Sequence, residues 1–124
     1  MPEKELFDVF ADGMRMFGYI HDNKLVSVMG FQEIMDVVLI RHAYTLTAYQ
    51  GKGIGSELLE YLLNINRDSH LLVGTWRDAK WAIRFYKKFG FVLHEKKESI
   101  FLLEKYWNIP SNQIEHSVVL EKYQ

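Results

Sequence analysis

Tyr49-Gln50-Gly51-Lys52-Gly53-Ile54-Gly55 stands between an apolar, strand-like run and a helix-like run, and the reading of the whole chain turns on it. Glycines at alternate positions let the backbone turn tightly and bring its N–H groups close to a ligand, with no Cβ in the way. The segment that follows, Ser56 to Ile65, reads as an amphipathic helix, with Leu58, Leu59, Leu62, Leu63 and Ile65 recurring at helical spacing. A strand, a glycine-rich bend and a helix N-terminus together make an anion seat, where unpaired N–H groups and the positive end of the dipole converge. A diphosphate is the expected occupant; a plain tight turn is the bland reading of the same glycines. No Gly-Lys-[Ser/Thr] follows at the spacing of a Walker A loop. The glycines run G-x-G-x-G, not G-x-G-x-x-G, so the dinucleotide fingerprint is excluded as well. The expected diphosphate therefore belongs to another carrier.

Composition narrows the class of protein. A chain of 124 residues is expected to form one domain, 1–124, with a single core. Net charge is −1, and the pairs Lys87-Lys88 and Lys96-Lys97 read as solvated faces, so a nucleic-acid partner is not expected. With no cysteine, disulfides, a thiol nucleophile and a Cys-based metal site are excluded. Met1 to Glu5 is charged and lacks an apolar signal core, and no apolar run is long enough to span a bilayer. A cytoplasmic protein without a membrane partner is the expectation.

Read in order, Pro2 to Ala11 is expected as a short helix. Gly13 to His21 alternates as a strand, Asp22-Asn23 supplies turn chemistry, and Leu25 to Gln32 completes a hairpin. Met35-Asp36 breaks the run. Val37 to Thr45 is a third strand, opening Val-Val-Leu-Ile as a strand covered on both faces would. Beyond the loop and first helix, His70 to Trp76 is a strand, parallel to the third if the helix is a crossover. Asp78 is expected to cap a helix with an apolar stripe of Trp81, Ala82, Phe85 and Phe89 and Gly90 just past its end. Phe91 to Lys97 reads as a strand, Ser99 to Trp107 as a helix ending before Pro110, and Ser117 to Tyr123 as a final strand antiparallel to Phe91–Lys97. The sum is a mixed α/β fold: a mostly antiparallel sheet of about six strands with a parallel pair in the middle, and helices on both faces.

Gln50-Gly51-Lys52-Gly53-Ile54-Gly55 resembles the Q/R-x-x-G-x-G/A loop of the GCN5-related N-acetyltransferase (GNAT) superfamily. Ala82-Ile83-Arg84-Phe85-Tyr86-Lys87-Lys88-Phe89-Gly90-Phe91 is similar to the A-x-x-F-Y-x-x-x-G-F block that follows the loop in that family, and Ser117 to Glu121 is similar to its last strand. The resemblance implies an enzyme moving the acetyl group of acetyl-coenzyme A to a primary amine of a small molecule or peptide, by direct attack in a ternary complex. No metal is implied. A non-catalytic acyl-coenzyme A-binding sensor is the alternative. Residues Gln50, Gly51, Lys52, Gly53, Ile54, Gly55 and Ser56 would hold the diphosphate. The backbone of Ala43 and Thr45 would pair with the pantetheine arm where the central strands splay. Tyr86 falls at the position facing the thioester sulfur and is the expected general acid; a core tyrosine is the alternative.

Departures from the family pattern shape the rest. The family places a strand and a longer helix before the hairpin, for which only about ten residues are present here; a homodimer partner or the Ser99–Trp107 arm is expected to fill the gap. Ala79 stands where the family often has Asn. Leu39 and Arg41 occupy third-strand positions that often carry a Glu or His base; Arg41 would instead suit a carboxylate on the acceptor. His42 is expected as a half-buried packing residue, Glu33 and His70 as remaining candidate bases beside solvent, and His21, His94 and His116 as surface residues with no metal-ligand spacing.

Overall fold

Residues 3–8 and 14–124 are described by a computed structural model, in which the chain divides into a unit of Met1–Ser69 and a unit of His70–Gln124. The first unit is an antiparallel meander of β1 (Glu3–Asp8), β2 (Met14–His21), β3 (Lys24–Ile34) and β4 (Val37–Thr45), each paired with the next. Asp22 and Asn23 join β2 to β3 with φ of 52° and 61°. Asp and Asn tolerate this left-handed geometry better than other side chains, and it matches the twist of the strands it links.

The expected N-terminal helix is not formed. Residues 3–8 pair with β2 from Glu3↔Ile20 to Asp8↔Arg15, so the leading strand is present; positions 2 and 9–11 of the expected helix lie outside the described residues. A helix this short is marginal on its own, whereas the free edge of β2 offers a row of backbone partners. Tertiary pairing overrides the local pattern.

Behind the meander, α1 (Ile54–Ile65) buries Leu58, Leu59 and Leu62 completely, each side chain contributing about 2 kcal/mol by leaving water. The Phe17 ring stacks on Phe31 at 5.9 Å and meets Tyr61 edge-on at 5.1 Å. Val37, Val38, Leu39 and Ile40 are all buried, as the unbroken apolar run predicted.

Beyond Ile40 the strand changes character. Val28 pairs with Tyr44 and Gly30 with Arg41, so Met29 alone stands opposite His42 and Ala43. His42 absorbs the extra residue with φ of 56°, making a β-bulge. A bulge resets the two-residue alternation, and His42, Ala43 and Tyr44 all emerge exposed. His42 is thus not the half-buried packing residue that alternation implied.

In the second unit, β7 (Ser117–Tyr123) runs antiparallel to β5 (His70–Trp76) on one side and to β6 (Val92–Leu93) on the other. The expected strand Phe91–Lys97 shrinks to β6, because α3 begins at Lys96 and ends at Tyr106. Its Ser99 hydroxyl accepts the Val119 N–H at 3.0 Å, taking over a bond that a longer edge strand would have made. A short helix that the sequence did not signal, α4 (Ser111–Glu115), follows Pro110.

Helix α2 (Lys80–Lys88) starts from Ala79 with no side-chain cap, so Asp78 does not play the capping role expected of it. Its buried residues are Ala82, Ile83 and Tyr86; Trp81 is 69% exposed and Phe85 and Phe89 are half-buried, which rotates the apolar stripe from the expected one. Gly90, at φ of 90°, ends the helix as expected, and a Cβ there would stand 2.6 Å from Lys122 Nζ. Lys122 and Gly74 alternate to opposite faces of the β5–β7 pair, and Gly74 lies under Leu103 and Trp107, so α3 covers the face away from the end of α2.

Candidate functional site

After β4 the chain makes a single 3-10 turn at Thr47–Tyr49 and enters α1 through the glycine loop. Gly51 and Gly53 have φ of 77° and 80°, a region that costs an L-residue about 1–2 kcal/mol. A Cβ built at either would meet nothing within 4 Å, so glycine is required by conformation and the face it leaves bare is open. Gly53 is the N-cap and has no side chain to offer the first turn. The first helical bond runs from the Glu57 N–H to the Gly53 carbonyl at 3.1 Å. Among the described residues, no backbone carbonyl accepts from the amides of residues 51–56. A run of free donors at a helix N-terminus has the chemistry of an anion cradle.

Two ammonium groups flank this loop. Lys52 Nζ lies 5.8 Å from the centre of the Tyr49 ring and Lys24 Nζ lies 5.9 Å from it, each in cation–π range. Lys24 comes from the tip of the β2–β3 hairpin, and nothing in its sequence context announces that neighbour. The one carboxylate of the first helical turn, Glu57, is engaged by the Tyr19 hydroxyl, whose pKa is pushed up to about 12 by burial and then by Glu57.

The end of β4 is held by side chains. Gln50 Nε2 donates to the Thr45 carbonyl at 3.1 Å. The Ser27 hydroxyl donates to the Tyr44 carbonyl at 2.9 Å, which leaves the Thr45 hydroxyl as donor in the 2.7 Å bond between Thr45 and Ser27. Arg41 sends Nη1 to Gln32 Oε1 at 2.7 Å. The loop, Thr45 and Ala43 are thus brought together in the first unit, with Arg41 on the near side of the bulge.

Tyr86 belongs to the second unit. Its residue is 5% exposed, its ring meets Phe85 and Phe91 edge-on at 5.1 and 5.5 Å, and its carbonyl accepts from both Phe89 and Phe91. Burial pushes the phenol up to about 12. The ring thus sits in an aromatic socket, and the phenol stays protonated there.

The remaining candidates resolve differently. The His70 and His94 rings both bond through Nε2 to the Glu121 carboxylate, His94 at 2.5 Å, and the His70 ring stacks on Tyr123 at 4.0 Å. His94 is therefore a half-buried structural partner and not the surface residue expected. Burial raises the Glu121 pKa, but the bonds from His70 and His94 outweigh it and hold the carboxyl below its usual range. Among the described residues, no cluster of His, Cys, Asp and Glu could hold a metal ion, and no helix is long and apolar enough to cross a membrane.

Comparison with known proteins gives this geometry a context. The family model of the acetyltransferase (GNAT) domain matches residues 12–93. The structure of an IAA acetyltransferase from Bacillus cereus superposes with a TM-score of 0.70 at 19% identity, over 90% of this chain and 79% of that one. A GNAT family acetyltransferase from Elizabethkingia anophelis, solved with acetyl-CoA bound, gives 0.68 at 18% identity, over 90% and 77%. Arabidopsis thaliana Naa50, in complex with the bisubstrate analogue CoA-Ac-MVNAL, gives 0.66 at 23% identity, over 88% and 72%. No curated protein sequence matches the chain. The mixed α/β fold expected from the sequence is the fold of these structures.

Proposed function

The chain belongs to the GNAT family of acetyltransferases, and from that premise we propose that it transfers the acetyl group of acetyl-coenzyme A to a primary amine of a small molecule or peptide. The observation that carries the proposal is the open, unpartnered run of amides from Gly51 to Ser56. Acetyl-coenzyme A fits it: the diphosphate of this donor substrate would take those N–H groups, and Lys24 and Lys52 add attraction that salt screens. The β4 backbone at Ala43, which is exposed, and at half-buried Thr45 would pair with the pantetheine arm. Arg41 would meet a carboxylate on the acceptor.

The chemistry is direct attack within a ternary complex. The neutral amine would attack the thioester carbonyl, the C–N bond forming as the C–S bond breaks, with the amine's surplus proton passing to solvent. Tyr86 would donate a hydrogen bond to the departing sulfur and, as the thiolate leaves, pass it the proton, the phenolate at once regaining one from solvent. A phenol near pKa 12 is a weaker acid than a thiol of pKa about 8.5, so its value lies in placing a neutral donor where negative charge develops. The bisubstrate analogue bound by Naa50 supports a route in which both substrates are held at once.

A non-catalytic acyl-coenzyme A sensor is the second reading. It is favoured by Leu39 and Arg41 standing where a strand carboxylate or histidine would serve as base. Calorimetry with acetyl-coenzyme A and a thiol-release screen across amines, amino acids, polyamines and peptides separate the two. Binding with turnover supports the enzyme, binding without turnover on any acceptor supports the sensor, and no binding removes both.

A further inference from the structure

Lys24 and Lys52 approach the Tyr49 ring from two parts of the first unit, one at the tip of the β2–β3 hairpin and one in the glycine loop. We infer that these two ammonium groups bind the phosphomonoester on the ribose 3′ position of coenzyme A, and so distinguish the coenzyme from its 3′-dephospho form. The inference rests on the coenzyme-binding reading and adds to it the ligand feature that is recognised.

More than one contact brings the hairpin tip to the loop. His21 and Lys24 form the closing pair of the hairpin, with Asp22 and Asn23 turning between them. The His21 ring meets the Tyr49 ring edge-on at 6.1 Å and Lys24 Nζ lies 5.9 Å from its centre, so both sides of the tip rest on one side chain. Two residues into β3, the Val26 carbonyl accepts the Leu46 N–H at 2.9 Å, and the Leu46 carbonyl in turn accepts the Tyr49 N–H at 2.9 Å. These bonds tie the hairpin to Tyr49, the residue before Gln50 opens the loop.

Charge names the occupant. Tyr49 is half-buried, while Lys24 and Lys52 are exposed on flexible stems that can swing to one anion beside the ring. Among the described residues neither ammonium has a carboxylate within ion-pair distance, and Asp22 lies against His21 Nε2 at 3.4 Å. Two unneutralised cations around one ring repel each other, and an anion between them reverses the sign of that interaction. A phosphomonoester carries a charge of about −1.5 to −2 at pH 7, which two ammonium groups match, and lysine binds phosphate as a point charge. The coenzyme supplies the spacing: its diphosphate and its 3′ phosphate are separated by one ribose. Lys52 stands within the run of free amides that the diphosphate would take, so a phosphate one sugar away falls within reach of a lysine stem.

The test is calorimetry on the full chain with coenzyme A and 3′-dephospho-coenzyme A, which differ by that one phosphate. Wild type should bind coenzyme A about five- to tenfold more tightly, as two exposed charge pairs allow. Lys24→Gln and Lys52→Gln should each cut the ratio to about threefold, and the double variant should bind both compounds alike. Lys97→Gln removes one positive charge from the exposed surface of α3 and should leave the ratio unchanged. Raising the salt concentration should narrow the wild-type ratio, because exposed charges are screened. Equal affinities in wild type, an undiminished ratio in the double variant, or the same fall in Lys97→Gln would overturn the phosphate site and leave the coenzyme reading standing. Binding of neither compound would overturn both.

Discussion

The side-chain amide of Gln50 donates to the carbonyl of Thr45 at 3.1 Å, fastening the entrance of the glycine loop to the last residue of β4. The bond is exposed, so its net worth is about 1 kcal/mol. Its value lies in orientation, because it fixes where the free amides begin. Gln50→Ala should weaken coenzyme A binding about fivefold with little change in unfolding temperature, both measured on the purified protein. Unchanged affinity would mean that the loop holds its shape without this tie.

Gly53 offers a cleaner separation of conformation from contact. Its φ of 80° strains any L-residue, yet a Cβ would touch no protein atom within 4 Å. Gly53→Ala should therefore cost about 1 kcal/mol of stability through backbone strain alone. Gly53→Val should cost more stability, because a β-branched residue tolerates positive φ least, and also remove measurable coenzyme binding, since its methyls would occupy the bare face of the cradle. Thermal unfolding read beside calorimetry distinguishes the two losses; Gly53→Val with wild-type affinity would refute the cradle.

The parts of this chain that local chemistry decides could be read from its sequence. Val37–Thr45, His70–Trp76 and Ser117–Tyr123 are strands with the bounds their patterns implied, and Gly53 and Gly90 sit at helix ends in the left-handed conformation. What failed was decided by distant partners. Residues 3–8 have a helix-like pattern but take the free edge of β2, and Phe91–Lys97 loses its strand when the Ser99 hydroxyl takes the Val119 N–H. His42 misled because a two-residue alternation cannot foresee the bulge opposite Met29. The loop was legible because its glycines carry their own conformational signature, whereas Lys24 comes beside Tyr49 only after folding.

Tyr86 should behave as a proton donor that does not titrate in the working range. Tyr86→Phe should lower kcat at least about tenfold and leave coenzyme affinity unchanged, as loss of a positioned acid does. With the phenol near pKa 12 against about 10 unfolded, its proton stabilises the fold fully below about pH 10, and this contribution is lost as pH rises through 12. The rate of the wild type should therefore show no alkaline decline from Tyr86 at pH 9–10. A decline there that disappears in Tyr86→Phe would assign the phenol an ordinary pKa and contradict its burial.

Glu121 makes the opposite prediction in acid. Its carboxylate accepts from His70 and His94, and although burial pulls its pKa up, those bonds hold it below the usual glutamate value. A depressed folded pKa means that the stabilisation is complete above the unfolded value of about 4.3 and is lost as pH falls through the folded one. Glu121→Gln keeps the shape but carries no charge, leaving one imidazole a weaker carbonyl acceptor and the other facing an amide donor. At pH 7 the variant should unfold several degrees below wild type, about 1 kcal/mol or more for a domain of this size. The gap should narrow only as pH falls below the unfolded value and through the depressed folded one, where wild type takes up its proton and carries a neutral carboxyl at the same place. Thermal unfolding across that range decides it: a gap that persists in acid would mean that Glu121 acts through packing and not through its charge.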